Sequence, residues 1–233
     1  MKATSWEFAN RAMIFGMIIG VPFGLYTLDH ENATAILADW LGAQGHLNAD
    51  RLAQVLFAIA GLLVAAAALI RTWASSYLNA GVVYASSVKT AFLVADGPYR
   101  RTRNPLYFAN ILMAIAMGSM MSRSGDVLCV AAMMVFCYRL IFREEDELHA
   151  SQGERYDAYR RAVPRLWPAL RLRVRSTARP PAWTAGFKAE AWYWGFAAAL
   201  LAFAVTLRLP VFCVVMSASV GLFWISSAML EKK

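Results

Sequence analysis

The chain has 233 residues, 59% of them hydrophobic, a mean hydropathy of +0.45 and a formal net charge of +8. Its apolar residues fall in blocks long enough to span a bilayer, which excludes an ordinary soluble domain. The positive charge collects at Arg100, Arg101 and Arg103 and again between Arg155 and Arg179, beside apolar blocks, so it reads as a topology signal and not as a nucleic-acid footprint.

Six spans are expected, at about 11–29, 52–70, 105–122, 125–142, 190–207 and 210–229, in an all-α polytopic membrane protein. Ala33-Thr34-Ala35 resembles a signal-peptidase site, but charged residues intervene and the preceding apolar stretch is long. The first span is therefore expected to stay uncleaved. The 30–50 loop carries Asp29, Glu31, Asp39 and Asp50 and should face outward. The basic segments, Lys232-Lys233 and both termini should then be cytoplasmic, with anionic lipid headgroups adding to the attraction.

The second span is alanine-rich from Ala65 to Ala68, which favours close helix packing, and it ends in Arg71-Thr72-Trp73 at the interface. Residues 79–104 read as a cytoplasmic connection punctuated by Gly97-Pro98. Pro105 opens the third span where a missing N–H costs nothing. Arg123-Ser124-Gly125 leaves room only for a tight turn, so the third and fourth spans should form an antiparallel hairpin. That hairpin would bring residues near 104 beside residues near 143.

Residues 153–163 read as a short amphipathic helix with Tyr156, Tyr159 and Val163 on one face. It could dock on the membrane surface or close over the hairpin as a lid. Residues 164–181 look irregular. The last two spans carry no ionisable residue between Trp192 and Leu207 or Pro210 and Leu230, and are expected to be packing elements. Three divisions follow: 1–80 with the first two spans, 81–168 with the hairpin and the amphipathic helix, and 169–233 with the basic linker and the final pair.

Cys129, Cys137 and Cys213 all lie in apolar spans, and His30, His46 and His149 stand singly, so no disulfide framework and no metal site is expected. The run Arg143-Glu144-Glu145-Asp146-Glu147 is the chemically conspicuous one. Adjacent helical residues diverge by about 100°, so Glu144 and Glu145 cannot both face outward water. Arg143 and Glu147 stand one turn apart and can pair. Carboxylates near a helix C-terminus also oppose its dipole and call for a cationic partner. That partner could be the arginines before Asn104 or a bound cation, or the run could be a solvated helix end.

Four motifs follow in order: Gly97-Pro98-Tyr99-Arg100; Arg103-Asn104-Pro105-Leu106-Tyr107-Phe108-Ala109; Arg143-Glu144-Glu145; and residues 153–164 with Tyr156 and Tyr159. Together they resemble the isoprenylcysteine carboxyl methyltransferase family and its phospholipid N-methyltransferase relatives, over roughly residues 71–166. Arg71-Thr72-Trp73 resembles a feature of the same group. The resemblance implies an integral-membrane enzyme that uses S-adenosylmethionine, its pocket formed by the hairpin and the cytoplasmic helix. Carried over by position, Asn104, Pro105 and Tyr107 line the adenosine side. Glu144 and Glu145 meet the cofactor's ammonium and hydroxyl groups, and Arg103 or Arg143 its carboxylate. Tyr107, Tyr156 and Tyr159 offer an aromatic wall for adenine. Asn104 stands where the family has histidine and Ala109 where it has glycine, so a general base at 104 is lost while hydrogen bonding survives.

No catalytic residue is assigned. The implied acceptor is lipid-like or prenylated and meets the enzyme at the cytoplasmic face of a bacterial inner membrane or its equivalent. Two rival classes remain. A steroid 5α-reductase-like enzyme would use NADPH, with Asn110 at that pattern's acidic position. A non-enzymatic membrane protein would be expected to place polar groups at the midplane of several spans.

Overall fold

The computed structural model describes residues 1–78 and 94–230, with side chains through 222. Most of the expected 79–104 connection and Lys232-Lys233 lie outside the described residues. Among the described residues the chain forms ten α-helices. In chain order they are α1 (Ser5–Ala9), α2 (Arg11–Gly20), α3 (Ala33–Gly45), α4 (Ala49–Ser75), α5 (Pro105–Gly118), α6 (Arg123–Gln152), α7 (Glu154–Ala162), α8 (Trp183–Ala189), α9 (Ala191–Thr206) and α10 (Leu209–Leu230).

Two helices, α4 and α6, are long and apolar enough to cross a membrane; a third crossing results if α8 and α9, bent by 62°, are one broken span. Over the residues whose side chains are described, the other apolar helices (Arg11–Thr27, Pro105–Gly118 and Leu209–Leu222) are shorter. Helix α5 has 14 residues, a length of about 21 Å against a hydrocarbon core of about 30 Å. The first apolar block leaves the α-helix at Val21, with Pro22 next, and continues as a 3-10 turn to Thr27. Six full-length crossing helices are therefore not what the described residues form.

Local sequence explains the main boundaries. Asn48 accepts from the backbone N–H of Arg51 at 3.0 Å and starts α4; Ser122 does the same for α6 through Gly125 N–H at 3.2 Å. Helix α3 occupies most of the stretch expected to be an outward loop. Asn32 caps it through Ala35 N–H at 2.8 Å, and His46 ends it in the left-handed region at φ 52°. In the sequence, Asp29, Glu31, Asp39 and Asp50 give this stretch a loop-like composition that masks the cap and the apolar run behind it.

The hairpin forms as α5 and α6, joined by Ser119–Ser122 in place of the turn expected at 123–125, which is instead the first turn of α6. Helix α4 packs against α5 on one side and α9 on another. One apolar core runs from Phe8 through Val64, Met117 and Leu140 to Ala204, so all three divisions of the sequence contribute to it. Gly186 brings α8 against α4 so closely that a Cβ there would sit 2.6 Å from the Thr72 carbonyl.

Helix α7 folds onto the polar end of the hairpin. Tyr156, Tyr159 and Val163 are all buried, and Tyr159 Oη donates to the Tyr99 carbonyl at 2.8 Å. The irregular segment that follows is tied back by main-chain bonds. Ala169 N–H donates to Arg101 O at 2.8 Å and Arg173 N–H to Arg100 O at 3.0 Å. Asp96 fastens its far end, accepting from Ser176 Oγ at 2.6 Å, Thr177 N–H at 2.9 Å and the Thr177 hydroxyl. Burial alone would raise the Asp96 carboxyl, but these donors outweigh it and hold it below the usual carboxylate range.

Candidate active site

A cavity of about 850 Å³ lies where these elements meet. Its polar end is built by the segment before α5, the far end of α6 and the face of α7. Tyr99, Arg103, Asn104, Pro105, Tyr107, Glu144, Tyr156 and Tyr159 all line it. Pro105 occupies the first helical position of α5, where its fixed φ suits the helix and no N–H is lost. Asn104 does not cap that helix with its side chain. Its Nδ2 instead donates to Arg165 O at 2.9 Å and reaches Glu145 Oε1 at 3.4 Å.

The two adjacent glutamates have different partners. Glu144 lines the cavity and, among the described residues, accepts one hydrogen bond, from Tyr107 Oη at 2.6 Å. Glu145 is 5% exposed and does not line the cavity. Arg103 donates to its Oε1 from Nε at 3.0 Å and from Nη2 at 2.7 Å, while Arg165 donates to its Oε2 from Nε at 3.0 Å and is ion-paired with it through Nη2 at 2.9 Å. Arg103 Nη1 also donates to the carbonyls of Arg160 at 2.6 Å and Val163 at 2.9 Å. One carboxylate thus binds the start of α5, α6 and the end of α7 together.

Arg143, expected beside the cofactor, points elsewhere. It pairs with Glu147 at 2.8 Å across one turn, and its Nη1 donates to Ala3 O at 3.3 Å. Together with Arg139, which holds Glu7 at 2.7 Å, it docks α1 against α6. The Arg139 hydrogen bond is the main reason the Glu7 carboxyl falls to a pKa of about 2. At the cavity's polar end, burial pushes the phenols of Tyr99, Tyr156 and Tyr159 upward, so all three stay neutral.

A second polar cluster lies deeper. Arg71 is paired with Glu190 through Nε and, at 3.1 Å, through Nη2. Ser75 Oγ donates to Glu190 Oε1 at 2.5 Å, and Arg71 Nη1 donates to Asn110 Oδ1 at 2.6 Å. Tyr193 Oη also donates to Asn110 Oδ1, at 2.5 Å, with its ring 4.3 Å from the Arg71 guanidinium carbon. Arg71, Asn110 and Tyr193 line the cavity, whereas Glu190 is fully buried behind them. The chain breaks between α8 and α9 at Glu190, whose carboxylate turns inward.

This cluster was not assigned from sequence. Beyond Arg71-Thr72-Trp73, its signal in the sequence is that Glu190 is the sole acidic residue between Asp157 and Glu231, set at the head of an apolar run. The final helix pair, expected only to pack, supplies Trp192, Tyr193, Phe196 and Phe212 to the cavity wall. From α2 come Arg11, on the Glu144 side, and Phe15, Gly16, Ile19 and Gly20, and from α5 Met113 and Met117, so the deeper half is mostly apolar. Among the described residues no group of His, Cys, Asp or Glu could hold a metal ion.

Two curated proteins resemble this chain. The cobalt-zinc-cadmium resistance protein CzcN of Cupriavidus metallidurans is 28% identical over 139 residues, covering 60% of this chain and 61% of that protein. The nickel-cobalt-cadmium resistance protein NccN of Alcaligenes xylosoxydans xylosoxydans is 31% identical over 90 residues, covering 39% of this chain and 42% of that protein. The chain therefore spans about three-fifths or less of the curated relatives it matches. No solved structure matches it. Residues 55–154, which contain α5, the hairpin turn, Glu144 and most of α4, match the phospholipid methyltransferase family model.

Proposed function

We propose that this protein is an integral-membrane S-adenosylmethionine-dependent methyltransferase acting on a lipid-like or prenylated acceptor. In this reading the six apolar segments cross or enter a bacterial inner membrane, both termini are cytoplasmic, and the polar end of the cavity opens to that side. The supporting observation is the Glu144–Tyr107 pair on the wall of a cavity that is aromatic and polar at one end and apolar at the other.

The residues present fit the cofactor. It is an amino-acid zwitterion joined to a nucleoside, and needs carboxylate, cationic and aromatic partners in one chamber. Glu144 would take the ammonium or the ribose hydroxyls, the backbone and side chain of Asn104 the adenosine side, and Tyr99, Tyr107, Tyr156 and Tyr159 the adenine wall. Arg103 lines the same chamber and would add positive potential near the carboxylate while keeping its bonds to Glu145. Glu145 and Arg165 would act by holding these walls in place. When bound, S-adenosylmethionine supplies an electrophilic methyl group on a sulfonium.

The chain's own contribution would be alignment and exclusion of water by α7 and its tyrosines. Asn104 cannot titrate, so an acceptor atom that is already deprotonated suits the site better than a protonated amine. Sideways entry of the acceptor between α2 and α10 would lay its tail along Phe15, Ile19, Met113, Met117 and Phe212. A link to the relatives' names is also open to test: cells that depend on this chain should lose tolerance to cobalt or cadmium when Glu144 is changed to Gln.

Equilibrium binding of labelled S-adenosylmethionine and of NADPH to the detergent-solubilised chain tests the reading, followed by transfer of labelled methyl groups into a lipid extract. Saturable binding of S-adenosylmethionine and labelled lipid product are expected. Binding of NADPH alone would replace the proposal with the reductase reading, and binding of neither would favour a non-enzymatic role.

A further inference from the structure

Asn110 is 3% exposed and lines the cavity. Both donors that reach it, Arg71 Nη1 and Tyr193 Oη, converge on the same branch of its amide. A guanidinium can only donate, so that branch must be the oxygen and the other the NH2 group. Among the described residues no acceptor meets this NH2, although the atom is not sealed away from the cavity space. Glu190 neutralises Arg71 from behind. The guanidinium in turn polarises the amide and strengthens it as a donor.

Its depth gives the donor a meaning. On α5, Tyr107, Asn110, Met113 and Met117 all line the cavity. With a rise of 1.5 Å per residue, Asn110 sits about 4.5 Å deeper than Tyr107 and its Glu144 partner. Everything on this face beyond it is thioether or hydrocarbon. Asn110 therefore marks the junction between the polar chamber and the apolar groove. A buried donor there selects for an oxygen acceptor at the head of an amphiphile and against a head group that can only donate.

We propose that Asn110 is the specificity-determining donor that fixes a carboxylate or phosphate oxygen of the methyl acceptor where the polar chamber meets the apolar groove. The word acceptor rests on the methyltransferase reading; the binding preference does not.

The test is binding of radiolabelled oleate and of 1-oleoyl lysophosphatidic acid to the full chain in detergent. Oleylamine serves as competitor, and S-adenosylhomocysteine binding is measured in parallel. Asn110→Asp keeps an oxygen for Arg71 and Tyr193 but replaces the NH2 by a second oxygen; Asn110→Leu removes the amide altogether. At least a tenfold loss of affinity for whichever oleoyl anion binds is expected in Asn110→Asp, with S-adenosylhomocysteine affinity unchanged and oleylamine competing at least as well as before. A preference for oleate assigns a carboxylate head, and a preference for the lysolipid a phosphate. If Asn110→Leu fails to fold, Asn110→Asp decides alone. Unchanged affinity in Asn110→Asp, or no binding of either anion to the unmodified chain, overturns the proposal. Asn110-dependent binding of an oleoyl anion without any S-adenosylhomocysteine binding would overturn the methyltransferase reading and leave the donor role standing.

Discussion

Two buried arginine–glutamate pairs flank the cavity, alike in chemistry and different in use. At the polar end Glu145 is bonded by two arginines, and Arg103 extends the network to two backbone carbonyls, so the pair rivets α5, α6 and α7 together. In the deeper wall Glu190 holds Arg71 against Asn110 and Tyr193, which form part of the cavity surface themselves. The first pair fixes walls; the second also shapes what the wall presents. A buried ion pair says little by itself about net stability, because desolvation offsets the attraction. What each pair fastens is the more informative property.

Substitutions in the two pairs should have different consequences. The largest effect is expected for Glu145→Gln, which leaves Arg103 and Arg165 facing a neutral group in a buried site. Thermal unfolding in detergent should show a loss of about 3–5 kcal/mol, with ligand affinity falling as a consequence. Glu190→Gln should cost somewhat less, about 3 kcal/mol, since it strands one guanidinium and not two. Its signature should be local: faster proteolysis around 183–190, where α8 and α9 break. Equal loosening of α7 in both variants would erase the distinction between the two regions.

Glu144→Gln sharpens the contrast between neighbours. It should leave the melting temperature nearly unchanged, since Tyr107 retains an acceptor, while cofactor affinity drops by about 1.5–3 kcal/mol through loss of a charge-assisted contact. The smallest effect concerns α1. Glu7 titrates in the folded chain at about 2 against an ordinary 4.5. Its bond to Arg139 therefore stabilises α1 docking fully above about pH 4.5, and that contribution fades as the pH falls toward 2. Hydrogen exchange at residues 3–9 should rise across that window by the equivalent of about 1 kcal/mol, and Glu7→Gln should abolish the pH dependence.

Much of the site's polar end was legible in the sequence because its parts lie within about 60 residues and are joined by a tight turn. A hairpin of that kind must place Asn104 near Arg143 to Glu145, whatever the rest of the fold does. Which of two adjacent carboxylates faces the ligand was not legible, since that depends on helix rotation and on Arg165, a residue in a segment without periodicity. Arg71 and Glu190 are 119 residues apart, and no local pattern couples them. Helix α3 is hard to read from sequence because its acidic flanks resemble a loop while its cap, Asn32, is a single residue. The segment 164–181 is irregular as expected, yet held at defined points by Arg100, Arg101 and Asp96, contacts that no pattern in the sequence announces.

Glu144 faces the proposed ligand while Glu145 fastens the wall behind it. Equilibrium binding of labelled S-adenosylmethionine to the unmodified chain and to Glu144→Gln, with melting temperatures measured on the same samples, tests this directly. Saturable binding in the first and at least a tenfold weaker Kd in the second, at matched stability, is the predicted result. Equal affinity in both, or no saturable binding to the unmodified chain, would contradict it.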